Sequence, residues 1–543
     1  MITKIKKNIR SRNFSEIFSF SLLIISLIWL KEVNYLFYDT FDSPDFEDYF
    51  VYFEHFFNGE QTYREHGLMY YYLHSVNFSL FYGDLQNFDI YMHKSVQQVN
   101  FYIFIFGYFG YYLLMRLLDF SNQIIFFSLT FINFFPPSIS MRLVFKPEIL
   151  AFATIPWIIY LIEKFKKEEK FYYLVLAIPL LTSSITLKGN ITGIICTYLF
   201  ICYLNIFRNL SRRQFLYLFL LLSISFYILT AENNSANGKN LLDTQSGSGT
   251  EANYDNKAPL SIIYNADLYT LFTSPIKPSQ ANSFIGITLL ETSGDYFDLY
   301  WNNDASAYFD NRKEIVNFIQ SDKIKAPELN LENPSITIYK QNNTDSYVYE
   351  TGGLIISLIL YFYLIKAYQK NTEYRRFLVF AFIGMLLLLL HSITGFPKNN
   401  FDPLLGDTFK PLYYSFALIF SFTFLIAIYL KQNMKKSYLI ITYIIFIIFT
   451  LGFPKNYDQK LQTDIVPKIE RSIFCEIEKS YYLDNSEYEN ISCKVIKETE
   501  TNEASPLLQS KVIKHAPSNL LFILFNFLIS FYLLFERRIL KKF

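Results

Sequence analysis

The sequence predicts an all-α polytopic membrane protein of about twelve transmembrane helices, with large polar loops on one side. Three observations predict this. Of 543 residues, 52% are hydrophobic and only 18% charged. The apolar residues recur in blocks of about twenty, the length that crosses a bilayer. The charges are swept to the block ends, with Lys and Arg gathered in alternate short loops. A soluble chain of this length does not string its apolar residues in this way. Lys+Arg 49 against Asp+Glu 48 also leaves no basic stripe to neutralise phosphates, which excludes a nucleic-acid partner. Part of the aromatic content, 58 Phe and 44 Tyr, is compositional habit and marks no site by itself.

In chain order the expected spans are 14–36, 100–118, 123–138, 147–162, 171–187, 190–207, 214–230, 353–369, 377–394, 412–430, 437–451 and 518–535. The first follows Lys4, Lys6, Lys7, Arg10 and Arg12, as a secretory signal does. Trp29-Leu30-Lys31-Glu32 offers no small-residue cleavage site, so the run is read as an uncleaved anchor. Orientation follows from the short loops. Lys164, Lys166, Lys167 and Lys170 share one side with Arg208, Arg212 and Arg213, whereas the opposite short loops hold only Arg142, Lys146, Lys188, Lys398 and Lys410. Positive charge stays inside, so both termini are expected in the cytoplasm and the protein in the inner (plasma) membrane, multi-pass.

This arrangement divides the chain into a module 1–230 of seven spans, with a first outer loop at 37–99, an extracytoplasmic loop 231–352 and four spans in 353–451. A late outer loop, 452–517, and a last span with its tail, 518–543, complete it. The long loop opens as A-E-N-N-S-A-N-G-K-N, too polar to order itself alone, and turns apolar from Pro259. Cys475 and Cys493 both fall in the late loop and are a disulfide candidate in an oxidising compartment. Cys196 and Cys202 lie in the sixth span as small packing residues.

The first outer loop carries the best candidate chemistry. In F-D-S-P-D-F-E-D-Y-F-V-Y-F-E-H-F-F-N-G (41–59), Ser43 is an N-cap, Pro44 a first helical residue and Asn58-Gly59 a stop. Phe46, Tyr49, Phe50, Phe53, Phe56 and Phe57 fall on one face. An amphipathic helix lying in the outer interface is expected. It presents Asp42, Asp45 and Asp48 above the headgroups, where a carboxylate acts as a base or holds a divalent cation. For Asp48 the better account is a favourable interaction with the helix N-terminus. His55, His66, His74 and His93 match no metal spacing, so a metal site stays unassigned. Arg142 and Lys146, Lys188, and Lys398 with Lys410 each place a cation at an outer tip against the positive-inside bias. Snorkelling accounts for any one of them; binding a lipid phosphate is the use that accounts for the recurrence.

The first-loop F-D-S-P-D-F-E-D-Y, the K-P-E-I-L-A span start (146–151), the S-I-T-L-K-G-N turn (184–190) and the large outer loops together resemble the GT-C superfamily of membrane glycosyltransferases. The similarity is to the bacterial aminoarabinose and protein mannosyltransferase group. It covers about 30–210 and extends more loosely to Gly294–Trp301 and to G-F-P-K-N-N-F-D-P (395–403). The resemblance implies transfer of a sugar from a polyprenyl-phosphate donor to a lipid, glycan or protein acceptor on the outer face. Asp42 or Asp45 would be base or metal ligand. Lys188, with Arg142 or Lys146, would engage the carrier phosphate, and Asp295-Tyr296 with the Pro259–Pro275 stretch would cover the cavity. Three other readings fit a chain of this kind: a surface-glycan polymerase or ligase, a twelve-span transporter, and a non-catalytic GT-C-like scaffold. The long loop lacks His, which disfavours the first. Spans nearly free of internal charge disfavour the second.

Overall fold

The structure, a computed structural model, describes residues 16–28, 53, 68–81, 88–208, 210–236, 258–273, 275, 280, 283–293, 301–303, 339–341, 344–394 and 414–432. These residues form fourteen α-helices. In order they are α1 (Glu16–Ile28), α2 (Leu68–Phe81), α3 (Phe88–Leu117), α4 (Asn122–Phe134), α5 (Pro136–Leu143), α6 (Glu148–Glu168) and α7 (Tyr172–Ile185). After them come α8 (Gly189–Arg208), α9 (Arg212–Ala236), α10 (Leu268–Thr273), α11 (Phe284–Ser293), α12 (Thr344–Lys370), α13 (Arg375–Thr394) and α14 (Ser415–Gln432). A short 3-10 turn, Leu260–Ile263, and one antiparallel pair, β1 (Trp301–Asn303) with β2 (Tyr339–Gln341), lie in the long loop.

Five of these helices are long and apolar enough to cross a membrane: Gly189–Ile206, Arg212–Thr230, Thr351–Lys370, Arg375–Thr394 and Ser415–Gln432. They match the expected spans at 190–207, 214–230, 353–369, 377–394 and 412–430. The helices at 100–118 and 147–162 form, but as parts of α3 and α6, which are longer and carry more polar side chains. They make the most extensive helix pair of the fold, so their polar groups meet protein rather than lipid. Gly107 and Gly110 allow that approach. A Cβ on Gly107 would stand 2.8 Å from Phe152 and 3.0 Å from the Ala153 backbone, and one on Gly110 2.7 Å from Trp157. The expected spans at 437–451 and 518–535 lie outside the described residues.

The run at 123–138 does not continue as one rod. Ser121 caps α4, its hydroxyl accepting from the Ile124 amide. The helix stops at Phe135, which precedes Pro136-Pro137 and is extended (φ −76°, ψ 119°). A residue before proline is pushed out of the helical region, while proline suits the first turn of the next helix. Hence α5 starts anew, bent 61° from α4. Every residue of α5 is buried.

The helices alternate in direction, which is visible in where their ends meet. At one end, Asn122 donates to Glu16 Oε1 (2.5 Å) and accepts from Arg116 (3.0 Å). Phe120, held by a left-handed Asp119 (φ 59°) after α3, packs on Tyr374 (5.5 Å), whose hydroxyl accepts from Lys431 (2.8 Å). Arg376 grips Glu163 with Nε at 2.7 Å from Oε1 and Nη2 donating to Oε2 at 3.1 Å, and Tyr203 donates to the same carboxylate (3.0 Å). The opposite ends of α3, α6, α8 and α13 hold Gln97 and Asn100, Glu148, Lys188, and Ser392. The Ser392 carbonyl accepts from the Ala258 amide of the long loop (2.9 Å).

Candidate functional site

The site is built around the turn between α5 and α6. A helix leaves its last carbonyls without partners, and α3 satisfies those of α5. Gln97 donates to the Leu143 carbonyl (3.0 Å), and Asn100, one turn on, donates to those of Arg142 (2.9 Å) and Val144 (3.0 Å). Tyr70 of α2 donates to Asn100 Oδ1 (2.9 Å) and so ties the first outer loop to the same turn. Asn77 reinforces the α2–α3 contact by donating to Ser95 (2.9 Å).

Charge is concentrated here. Arg142 and Glu148 are fully buried and Lys146 is 1% exposed. The Arg142 guanidinium lies over the Phe104 ring, 5.6 Å from its centroid. Glu148 opens α6, where a carboxylate suits the helix dipole, and its Oε1 is 3.4 Å from Lys188 Nζ across the bundle. Lys188 immediately precedes α8 and is the more accessible partner, with 17% of its side chain exposed. Glu148 Oε2 has no hydrogen bond among the described residues. Arg142, Lys146 and Lys188 thus gather around the turn that Glu148 closes.

Beside the turn, Phe145 is boxed by rings. Tyr70, Tyr71 and Phe53 lie 5.5, 6.1 and 6.0 Å from it, and the imidazole of His74 4.9 Å. His74 is fully buried, and neither of its nitrogens is hydrogen bonded among the described residues. Burial pushes its imidazole down to about 3. Burial also pushes the Tyr70 phenol well above its ordinary value, against the opposing hydrogen bond to Asn100.

Of the residues singled out from the sequence, the structure joins Lys188, through Glu148, to the turn that carries Arg142 and Lys146. It places the latter two inside the bundle rather than on an exposed tip, because the α4–α5 bend folds the segment inward and α2 and Phe53 cover it. Phe53 is buried against protein rings, whereas the sequence placed it on a lipid-facing stripe. Asp42, Asp45, Lys398, Lys410, Asp295, Tyr296, Cys475 and Cys493 lie outside the described residues. The apolar stretch after Pro259 seats Ile262 and Leu271 inward and leaves Tyr264 and Tyr269 exposed. Sequence reasoning missed Glu148, His74, Tyr70, Gln97 and Asn100 as site residues. Their one legible signal was polarity in otherwise apolar helices, the Glu of K-P-E-I-L above all. Among the described residues no group of three His, Cys, Asp or Glu is placed to hold a metal ion. Comparison with protein-family models and with curated proteins finds no match to this chain.

Proposed function

We propose that this membrane protein is a GT-C-like glycosyltransferase, which takes a sugar from a polyprenyl-phosphate donor and passes it to a lipid, glycan or protein acceptor on the extracytoplasmic face. The observation that carries the reading is the seating of Phe53 on Phe145. Phe53 belongs to the acidic first loop, which has ten Asp or Glu against Arg64 and Lys94, and Phe145 is the residue next to Lys146. Sugar transfer from a lipid phosphate needs a carboxylate for proton transfer and cations for the leaving phosphate, and Arg142, Lys146 and Lys188 are the cations this reading uses.

In this reading Lys188 meets the carrier phosphate, helped by the positive end of α8. Arg142 and Lys146, behind it, keep the local potential positive. Asp42 or Asp45 takes the proton of the acceptor nucleophile, directly or with a divalent cation that it holds. Both termini and the basic loops lie on the cytoplasmic side, and the exposed Tyr264 and Tyr269 sit at the outer interface, where tyrosine is favoured.

The test is transfer from a panel of labelled polyprenyl-phosphate hexoses and pentoses by the full chain in proteoliposomes. With a donor found, loss of about 10²–10⁴-fold is expected in Asp42→Asn or Asp45→Asn, and weaker donor binding in Lys188→Ala. Full activity in both aspartate variants and their double variant refutes the first-loop base. Unchanged donor affinity in Lys188→Ala, Arg142→Ala and Lys146→Ala refutes the phosphate assignment.

A further inference from the structure

A half-open apolar groove of about 220 Å³ runs between α6, α7, α8 and α9. Ile162, Ile178, Leu199, Leu218 and Phe219 form its walls, and Tyr203 supplies the one hydroxyl, already donated to Glu163. This volume is below the roughly 300–1,000 Å³ of small-molecule sites, and no convergent polar groups line it. Its outer wall is α9, a span with Phe215, Leu216, Phe219 and Leu220 exposed, so the groove opens where hydrocarbon lies.

Cations crowd one end of it. Lys166 lies over the Tyr203 ring, 6.0 Å from its centroid. Arg208 follows the wall residue Ile206, and Arg212 and Arg213 precede the wall residue Phe215. Arg208, Arg212 and Arg213 are exposed and have no ion pair among the described residues. The first turn of α9 has no acidic residue, so its two arginines stand unbalanced against the helix dipole, a cost that a bound anion offsets. Lys166 is ion-paired with Glu163 (3.6 Å), but a hydrocarbon slot that ends in three arginines with no ion pair among the described residues is complementary to an acyl chain that ends in a phosphate.

We propose that the groove between α6 and α9 binds an anionic phospholipid, one acyl chain lying along Ile178, Leu199 and Phe219 and the phosphate meeting Arg208, Arg212 and Arg213. The site is at the opposite end of α6 and α8 from Glu148 and Lys188, so it does not depend on the transferase reading. Binding there braces α9, the peripheral wall, against the bundle.

Native mass spectrometry of the full chain, released from detergent micelles doped with palmitoyl-oleoyl phosphatidylglycerol or the matched phosphatidylcholine, tests this. Retention of phosphatidylglycerol is expected to exceed that of phosphatidylcholine by about tenfold, equivalent to about 1.4 kcal/mol. The preference is expected to vanish in Arg212→Gln with Arg213→Gln. Retention of phosphatidylglycerol is also expected to fall in Leu218→Trp, which fills the slot; should that variant unfold, Phe219→Ala, at an exposed wall position, replaces it. Equal retention of the two lipids, or an arginine variant that keeps the preference, overturns the proposal. So does a folded groove variant with unchanged retention, or retention of polyprenyl phosphate but not of phosphatidylglycerol.

Discussion

Acid is expected to loosen this protein through His74. In the folded chain its ring is buried between Tyr70 and Phe145, and burial holds it at about 3 instead of the ordinary 6.5. Unfolding returns the imidazole to water, where it takes up a proton near its ordinary value. Between about pH 6.5 and about pH 3 the unfolded state therefore holds one more proton than the folded state. The neutral ring's contribution is complete above pH 6.5 and is lost as pH falls, by up to about 1.4 kcal/mol per pH unit. Over two units, to about pH 4.5, this comes to about 2–3 kcal/mol. His74→Phe keeps an aromatic ring in the box and removes the titration. The assay is unfolding of the purified full chain by sodium dodecyl sulfate at about pH 7.5 and about pH 4.5, wild type against His74→Phe. Wild type is expected to lose about 2–3 kcal/mol more than the variant over that interval. Equal losses would mean that the ring is not sealed, and would refute the reasoning; His74→Gln repeats the comparison should the Phe variant be overpacked.

At the other end of the bundle, Arg376→Gln leaves the nearly buried Glu163, among the described residues, with Lys166 at 3.6 Å and the Tyr203 hydroxyl. Because Arg376 is 27% exposed, the loss is expected below the 3–5 kcal/mol of a sealed pair, about 2 kcal/mol. Adding Glu163→Gln should recover part of it, as a double-mutant cycle in the same unfolding assay reads directly. Gly107→Ala drives a methyl group onto Phe152 and the Ala153 backbone. A destabilisation of about 1–3 kcal/mol follows, and a variant as stable as wild type would show that α3 and α6 are not so closely packed. Cys196 and Cys202 are free. Alkylation of the denatured, unreduced chain is therefore expected to label two thiols if Cys475 and Cys493 are bridged and four if they are not, which mass spectrometry distinguishes.

The spans at 190–207, 214–230, 353–369, 377–394 and 412–430 were legible because hydropathy is a property of consecutive residues. The bend at Phe135-Pro136-Pro137 was equally local, yet the composition of 123–138 reads as an unbroken run. Only the extended Phe135 shows that α5 turns inward. The candidate site was half legible. Lys188 and Arg142 stood out as cations on the wrong side of the charge bias, but Glu148 appeared only as one residue of the K-P-E-I-L-A span start. Its partner is 40 residues away, brought near by the packing of α6 on α7 and α8.

By itself the sequence determined that this is a membrane-embedded helical protein and which loops are basic, since the apolarity of a block and the charge of a loop are sums over neighbours in the chain. Tertiary structure alone decided that Arg142 and Lys146 are interior, that Glu148 pairs with Lys188 and Glu163 with Arg376, and that His74 is sealed among rings. The physical reason is that burial and pairing depend on which helix faces meet, and α3 and α6 meet through Gly107 and Gly110 at a distance no neighbouring residue records.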